Sequence, residues 1–597
     1  MNSTKEILAR ISENSKRHPE EIFTRVYRYM LREDIYFTAY QKLYANSGAS
    51  SKGIDNDTAD GFSEEYIRSI IERLRTGTYE PKPTRRIYIP KANGKMRPIS
   101  IPTFSDKLVQ EVMRMILESV YEPIFMDVSH GFRPQKSCHT ALEQIKHEFT
   151  GARWFIEGDI KGCFDNIDHH ALIKIINGKI KDARFIQLLW KFLKAGYLED
   201  WKYNKTFSGT PQGGIISPIL ANIYLHELDK KIMEIKKKFY KPRERAMSPE
   251  YSRLEHQIRA VKTKISRTEG TEKAELIKEL KNLRKRFRVT PCVSQTDKRL
   301  SYVRYADDFI IGIVGSKKDC EKIKEQLTKF VADTLKMELS AEKTLITHSN
   351  EKARFLGYDI RVRRNSKVKR TKNGKKVRTL NNKVERNIPI QDKITKFLIT
   401  QGIVYMKNGH MKPCRRVRLL HLTDLEIVTA YSAELRGICN YYNLASNFSD
   451  LHYFSYLMEY SCLKTLAAKH KTSLKKIRDK YANGKGWGIP YETKKGVKIA
   501  RIPTYQDCAN AKECKDEKPN LTVQHLHSRT TFEQRLKAHK CELCGTETSQ
   551  HYEIHHINKV KNLRGKELWE QIMIAKRRKT LVVCRECHKR IHGKKAD

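Results

Sequence analysis

Residues 301–314 read SYVRYADDFIIGIV, and the reading of the whole chain turns on them. Two runs rich in β-branched and aromatic side chains flank a Tyr-Ala-Asp-Asp step. That is the pattern of a β-hairpin with two carboxylates at its tip. In a regular strand Asp307 and Asp308 would point to opposite faces, whereas a tight turn lets both approach one site. Adjacent carboxylates between apolar strands repel each other, and a divalent cation removes that conflict; hard oxygen ligands suit Mg²⁺. Asp is also a common turn residue, so alone the pair fits an acidic turn as well as a metal site.

Composition narrows the choice. The chain has 597 residues, long enough for about three or four domains each with its own core. Its 117 Lys plus Arg against 69 Asp plus Glu give a formal charge of +48, a field that calls for a polyanionic partner. Nucleic acid fits better than a membrane, because no apolar run reaches the roughly 18 residues of a spanning helix. The N-terminal stretch MNSTKEILARISENSKRHPEE is charged throughout and lacks a signal-peptide core. A cytosolic or nucleoid-associated location is the expectation. Thirteen cysteines, mostly scattered, suit reduced thiols; the exception is two C-x-x-C pairs at the C-terminal end, Cys541/Cys544 and Cys584/Cys587.

Working outward, Arg85–Leu117 (RRIYIPKANGKMRPISIPTFSDKLVQEVMRMIL) predicts strand, Asn-Gly turn, strand and helix. Lys91, Lys95 and Arg97 crowd that turn, where they either clamp a triphosphate or form a solvated basic loop. The stretch GARWFIEGDIKGCFDNIDHH, residues 151–170, is an apolar strand ending in Asp159. That carboxylate either caps the strand or joins Asp307 and Asp308, and three carboxylates from two strands make a two-metal site feasible. TFSGTPQGGIISPILANIYL, residues 206–225, joins a glycine-rich loop offering Gln212 to an apolar helix. Residues 235–290 form a Lys/Arg-rich helical hairpin that binds RNA or merely protrudes into solvent. Residues 1–80 look helical, including Ile22, Phe23, Val26, Tyr27 and Met30 at helical spacing. After the Asp-Asp hairpin come a helix near 318–336 and two short strands in MELSAEKTLITHS and ARFLGYDI; Lys343 lies where a cation can face the site. The run RVRRNSKVKRTKNGKKVR, from Arg361, needs counter-charge that phosphates supply. Residues 388–482 are mostly helical, with tyrosines near Arg436, Lys464 and Lys469 that either stack on bases or fill a core.

At the C-terminal end spacing speaks directly. Cys541, Cys544, Cys584 and Cys587 can close a tetrahedral Cys₄ structural Zn²⁺ site, a staple for a module too short to build a large core. His555, His556, His588 and His592 exceed what that site needs, so a second metal is plausible.

The ordered blocks IPK…RP, DIKGCFDNI, SGTPQGG, YADD, LSAEKT and FLGY together resemble the fingers and palm of a reverse transcriptase. RGICNYYNLAS resembles the maturase (X) domain of group II intron-encoded proteins, and the Cys/His block resembles their HNH endonuclease. The resemblance covers nearly the whole chain. It implies an α+β multidomain fold: a right-hand polymerase over 1–360 with the helical insertion 235–290, an α-helical thumb/maturase domain over 361–482, a basic DNA-binding module or linker over 483–530, and a ββα-metal HNH domain over 531–597.

It further implies that Asp159, Asp307 and Asp308, with the carbonyl of Ile160, hold two Mg²⁺ ions for DNA synthesis from dNTPs. Asp308 takes the looser role. Phe164 matches the aromatic gate against a ribose 2′-hydroxyl, Lys91 and Arg97 match triphosphate-binding positions, Gln212 lines the nucleotide pocket, and Lys343 is a candidate proton donor to pyrophosphate. In the nuclease, His555, His588 and His592 would hold a divalent ion, with Mg²⁺ expected, and His556 would activate water. The family's central Asn aligns near Thr580, where this chain departs; Asn558 or Asn562 would have to take over. The expected partners are group II intron RNA, double-stranded target DNA and dNTPs, with no membrane, and the resemblance admits a homodimer. The expected function is RNA-directed DNA polymerase, maturase and target-nicking nuclease. The alternatives are a splicing-only maturase, or a retron- or diversity-generating-type reverse transcriptase.

Overall fold

The computed structural model describes residues 3–593 except 91–93, 95, 200–201, 205–208, 210–212, 243–246, 291, 293–296, 366–367, 371–373, 379–380, 485, 494–495 and 512–531. Lys91, Lys95 and Gln212 therefore lie outside the described residues. In chain order the strands of the first part of the chain are β1 (Thr84–Pro90), β2 (Met96–Ile101), β3 (Trp154–Asp159), β4 (Tyr197–Glu199), β5 (Lys202–Asn204), β6 (Arg299–Tyr305), β7 (Asp308–Val314) and β8 (Leu345–His348). They form two four-stranded sheets, ordered β2-β1-β4-β5 in the fingers and β6-β7-β3-β8 in the palm.

The palm sheet is antiparallel throughout, with β3 between β7 and β8. Its strands are apolar on both faces because both are covered. Side chains alternate across a strand, so Tyr302, Phe309 and Ile311 enter the core shared with the fingers while Val303 and Ile310 enter the core shared with the thumb. The helices Ser217–Phe239 and Lys317–Asp333 pack on one side and Cys138–Glu148 lies along β6.

The fingers begin with the helix Thr4–Arg17, started by a capping box between Ser3 and Glu6. Helices Glu33–Tyr44 and Glu64–Thr76 follow, the latter burying Ile67, Ile70, Ile71 and Leu74. The helix expected around Ile22–Met30 does not form. Phe23 instead exchanges backbone hydrogen bonds with Lys179 and Lys181 at 2.8 and 2.9 Å, leaving only a short 3₁₀ segment, Tyr27–Leu31. Ile22 is exposed. Pairing with a distant segment outweighs the local periodicity.

ARFLGYDI is not one strand but a hairpin, Ala353–Phe355 against Tyr358–Val362, turned at Leu356 and Gly357 with φ of 46° and 71°. The insertion is a helical hairpin, Pro249–Ile265 and Thr271–Val289, closed on Leu254, Val261 and Leu283. The palm helix Ser217–Phe239 runs into the first residues assigned to it.

The thumb core gathers Tyr431, Leu435, Leu457, Leu463 and Leu466 from the helices Asp424–Tyr441 and Leu451–Lys469, together with Ile489, Ile502 and Cys508. Ile489, Ile502 and Cys508 thus anchor the described part of the stretch after residue 483 on the thumb. Two lysines near the tyrosines of residues 388–482 are committed to the fold: Lys464 Nζ donates to the Pro413 carbonyl at 2.8 Å and Lys469 Nζ to Asp424 at 2.7 Å. Arg361 and Arg363 of the basic run both pair with Glu385, which offsets one of their two charges.

The C-terminal module is a two-stranded ribbon, Tyr552–His556 with Thr580–Cys584, followed by the helix Arg585–Ile591. It sits on the fingers. Phe532 packs among the rings of Phe37, Tyr40, Tyr44 and Phe62, and the backbones of Gly61 and Phe62 pair with Ile554 at 3.0 and 2.9 Å.

Candidate functional site

Register alone assembles the carboxylates. Tyr305 pairs with Asp308 across a two-residue turn of Ala306 and Asp307, and Asp159 at the end of β3 pairs with Asp308 on β7. Directly opposed residues of an antiparallel pair share a face, so Asp159 and Asp308 meet side by side, and Asp307 reaches the same place from the turn. Ala306 takes φ of 56° to make that turn. Withdrawal from water among the surrounding protein, then the charges of Asp307 and Asp159, push the Asp308 carboxyl up to about 7, although its surface opens on the cleft. Burial, with Asp159 adding to it, also raises Asp307, against the opposing charges of Lys343 and Arg97. Carboxylates that resist ionisation yet are held together form a donor set suited to a hard divalent ion. Ile160 is buried; bonds from Ser340 N to the Asp159 carbonyl at 2.8 Å and from Lys161 N to Glu338 at 3.0 Å flank its peptide without using its carbonyl. Lys343 Nζ lies 2.8 Å from Asp159.

The other predicted positions surround this point. Arg97 lies on β2 opposite Ile89. Phe164 follows β3 in the short 3₁₀ segment Cys163–Asp165, and its ring meets Phe132 edge-on at 6.2 Å. The glycine-rich loop is pressed against both: a Cβ on Gly209 would lie 2.6 Å from the Asp165 carbonyl oxygen, and one on Gly213 2.6 Å from that of Ser100.

Two more clusters lie in the C-terminal module. The sulfurs of Cys541, Cys544, Cys584 and Cys587 all fall within 4.8 Å of one another, with Cys544 and Cys584 at 3.9 Å. A tetrahedral zinc with bonds of about 2.3 Å has an S···S edge of about 3.8 Å, so the sulfurs are spaced for such an ion. Burial would raise the Cys541 thiol, but backbone amides directed at its sulfur, that of Cys544 foremost, bring it down to about 7. Beside the ribbon, ring nitrogens of His555, His588 and His592 converge with a carboxylate oxygen of Asp60, all within 4.8 Å. His555 is buried, and neither ring nitrogen makes a well-aligned hydrogen bond; Nδ1, 3.2 Å from Asp60, is placed to ligate a metal ion. His588 Nδ1 is fixed by Glu553 at 2.5 Å, which leaves Nε2 for the cluster. Burial would lower His588, but the carboxylates of Asp60 and Glu553 win and raise it to about 9.

The carboxylates fall within one matched family model, and the four cysteines with His555 and His588 within another; a third model covers the thumb. A reverse transcriptase (RNA-dependent DNA polymerase) model matches residues 89–242 and 277–360, a type II intron maturase model matches 381–532, and an AI2M/AI1M-like HNH endonuclease model matches 541–588. The group II intron-encoded protein LtrA of Lactococcus lactis subsp. cremoris is 59% identical over 99% of both chains. The chain belongs to the group II intron-encoded proteins. Like LtrA, it is a multifunctional group II intron protein with reverse transcriptase, maturase and HNH endonuclease domains. More distant relatives include a putative COX1/OXI3 intron 2 protein of Saccharomyces cerevisiae (34% identical, 98% of this chain, 68% of that one) and the nuclear intron maturase 2 of Arabidopsis thaliana (25%, 83% and 71%). Reverse transcriptase and HNH domains work with divalent metal ions. Among the described residues no helix is long and apolar enough to cross a membrane.

Sequence reasoning about this intron-encoded protein missed three parts of its sites. Arg304, within the opening stretch, is fully buried and grips Asp229 with two bonds of 2.8 and 2.6 Å, while its Nη1 donates to the Ala306 carbonyl at 2.9 Å and so pins the Asp-Asp turn. The loop Ser129–Arg133 packs beneath the same turn, and a Cβ on Gly131 would stand 2.3 Å from Ala306 N. Asp60, from the fingers, is the third. A charged residue inside an apolar strand was the one visible signal for Arg304; nothing local marks Asp60. At the nuclease, Thr580 stands opposite His556 in the ribbon and its hydroxyl accepts from Arg535 at 2.9 Å, while Asn558 and Asn562 are exposed.

Proposed function

We propose that Asp159, Asp307 and Asp308, with the Ile160 carbonyl, hold two Mg²⁺ ions and catalyse extension of a DNA 3′ end on the intron RNA from dNTPs. The observation that carries this reading is the strand register that sets Asp159 against Asp308 with Asp307 in the adjoining turn. The ions would neutralise charge on the attacking and leaving oxygens. The chain's own groups do the rest. Arg97 and Lys91 bind the triphosphate, the Phe164 ring excludes a ribose 2′-hydroxyl, Gln212 lines the nucleotide pocket, and Lys343 supplies a proton to the departing pyrophosphate.

The domains proposed are fingers and palm over 1–360, thumb/maturase over 361–482, a basic DNA-binding module over 483–530 and the nuclease over 531–597; the type II intron maturase match at 381–532 runs across the boundary at 482. The thumb/maturase binds the intron RNA, and the stretch after residue 483 takes double-stranded target DNA. In the ββα-metal nuclease the four cysteines hold structural Zn²⁺, His555, His588 and His592 hold a divalent ion, and His556 serves as general base. The protein would act in the bacterial cytoplasm, on nucleoid DNA. Primer extension on an RNA template with Mg²⁺ tests the reading. Asp307→Ala and Asp308→Ala should each abolish extension while leaving intron RNA binding intact; extension that survives both changes overturns the site.

A further inference from the structure

The nuclease histidines do not converge on empty space but on a side chain from the other end of the chain. Asp60 Oδ1 lies 3.2 Å from His555 Nδ1 and 3.2 Å from His588 Nε2, and Oδ2 lies 2.8 Å from His592 Nε2. The placement is built, not incidental. Asp60 Oδ1 also accepts the His556 amide at 2.7 Å, and its neighbours Gly61 and Phe62 are zipped to Ile554 by two backbone bonds. His556 itself is buried, its Nε2 3.3 Å from the Tyr44 carbonyl.

We propose that Asp60 of the fingers is a fourth ligand of the nuclease's divalent ion, so that the metal site is shared by two domains and closed while they are docked. Three imidazoles and one carboxylate would supply four of the ion's ligands. The docked fingers cover His556. Nicking then requires that the module lift from the fingers, which withdraws Asp60 from the ion. This rests on the reading of His555, His588 and His592 as ion ligands, and the test separates the two.

The probe is Mn²⁺ added to the full-length protein. Electron spin-echo modulation from ¹⁴N reports only the ion bound to imidazole, since the polymerase site offers oxygen alone. Titrating that signal gives the affinity of the histidine site. Asp60→Asn keeps the shape and an oxygen for the His556 amide, and should weaken the site by about ten-fold or more while the ¹⁴N signal persists at saturation. Hydrogen exchange at the Gly61 and Ile554 amides should slow on adding Mn²⁺ to the wild type but not to Asp60→Asn. Unchanged affinity, or Mn²⁺-independent protection, overturns the role of Asp60. His588→Ala should abolish the ¹⁴N signal; if it does not, the nuclease-ion reading itself fails.

Discussion

At the scale of single residues, Asp308 is the most informative. Its carboxyl is pushed up to about 7 by burial and by Asp307 and Asp159, so near neutrality the cluster binds a proton where an ion would otherwise sit. Proton and ion compete for the same oxygens. The sign is fixed by this competition: ion affinity is constant above about pH 7 and falls as pH drops below it, by about ten-fold per pH unit for one proton displaced. The Mg²⁺ dependence of primer extension at pH 6 and pH 8 measures this. A concentration for half-maximal rate that does not rise at the lower pH removes the argument. Gly131 gives a second test. Any side chain there meets the backbone of Ala306 at 2.3 Å, and backbone cannot yield as a side-chain tip can. Gly131→Ala should displace the turn and suppress extension strongly, with an apparent loss of stability of about 1–3 kcal/mol from overpacking. Wild-type extension by this variant would show that the turn tolerates the shift.

At the scale of elements, the palm hairpin depends on a charge buried inside it. Arg304 and Asp229 are both withdrawn from solvent. Removing one partner leaves the other charged and unpaired, a loss of about 3–5 kcal/mol, whereas replacing both by apolar residues is close to neutral. Arg304→Met should therefore lower the midpoint of denaturant unfolding, and Arg304→Met with Asp229→Leu should recover it. Extension should stay low in the double variant, because the bond from Arg304 to the Ala306 carbonyl is still missing. Recovery of activity along with stability would reduce Arg304 to a packing role. This network also shows what was legible. The hairpin, its turn and the strand ending in Asp159 could be read because β-branched runs and Asn-Gly or Ala-Asp steps are local signals. The pairing of Asp159 with Asp308 could not, since register between strands about 150 residues apart leaves no periodic trace. The same physics erased the expected helix at Ile22–Met30, where backbone pairing of Phe23 with Lys179 and Lys181 prevailed.

At the scale of the whole molecule, the chain closes on itself: residues near 60 and residues near 555 form one surface, which no reading of either stretch alone suggests. The cysteine and histidine spacings announced two groups of potential metal ligands, yet not that one of them touches the fingers. The module's ribbon is short and its apolar side chains, Ile554, Met573 and Val582 among them, join the same buried core as Met30, Leu108, Ile156, Leu220 and Ile311 of fingers and palm. A Zn²⁺ ion on the four cysteines would add stability that so small an area of its own cannot supply. Cys584→Ser breaks the cluster at the residue that ends the second ribbon strand and begins the last helix. Target nicking should be lost, and extension from a supplied primer 3′ end should continue, since Asp159, Asp307 and Asp308 are held by the palm alone. Tyr40 and Phe62, covered in part by Phe532, should then exchange faster at their amides. Loss of extension in step with nicking would mean that the fingers need the docked nuclease in order to fold, and the two halves would have to be treated as one cooperative unit.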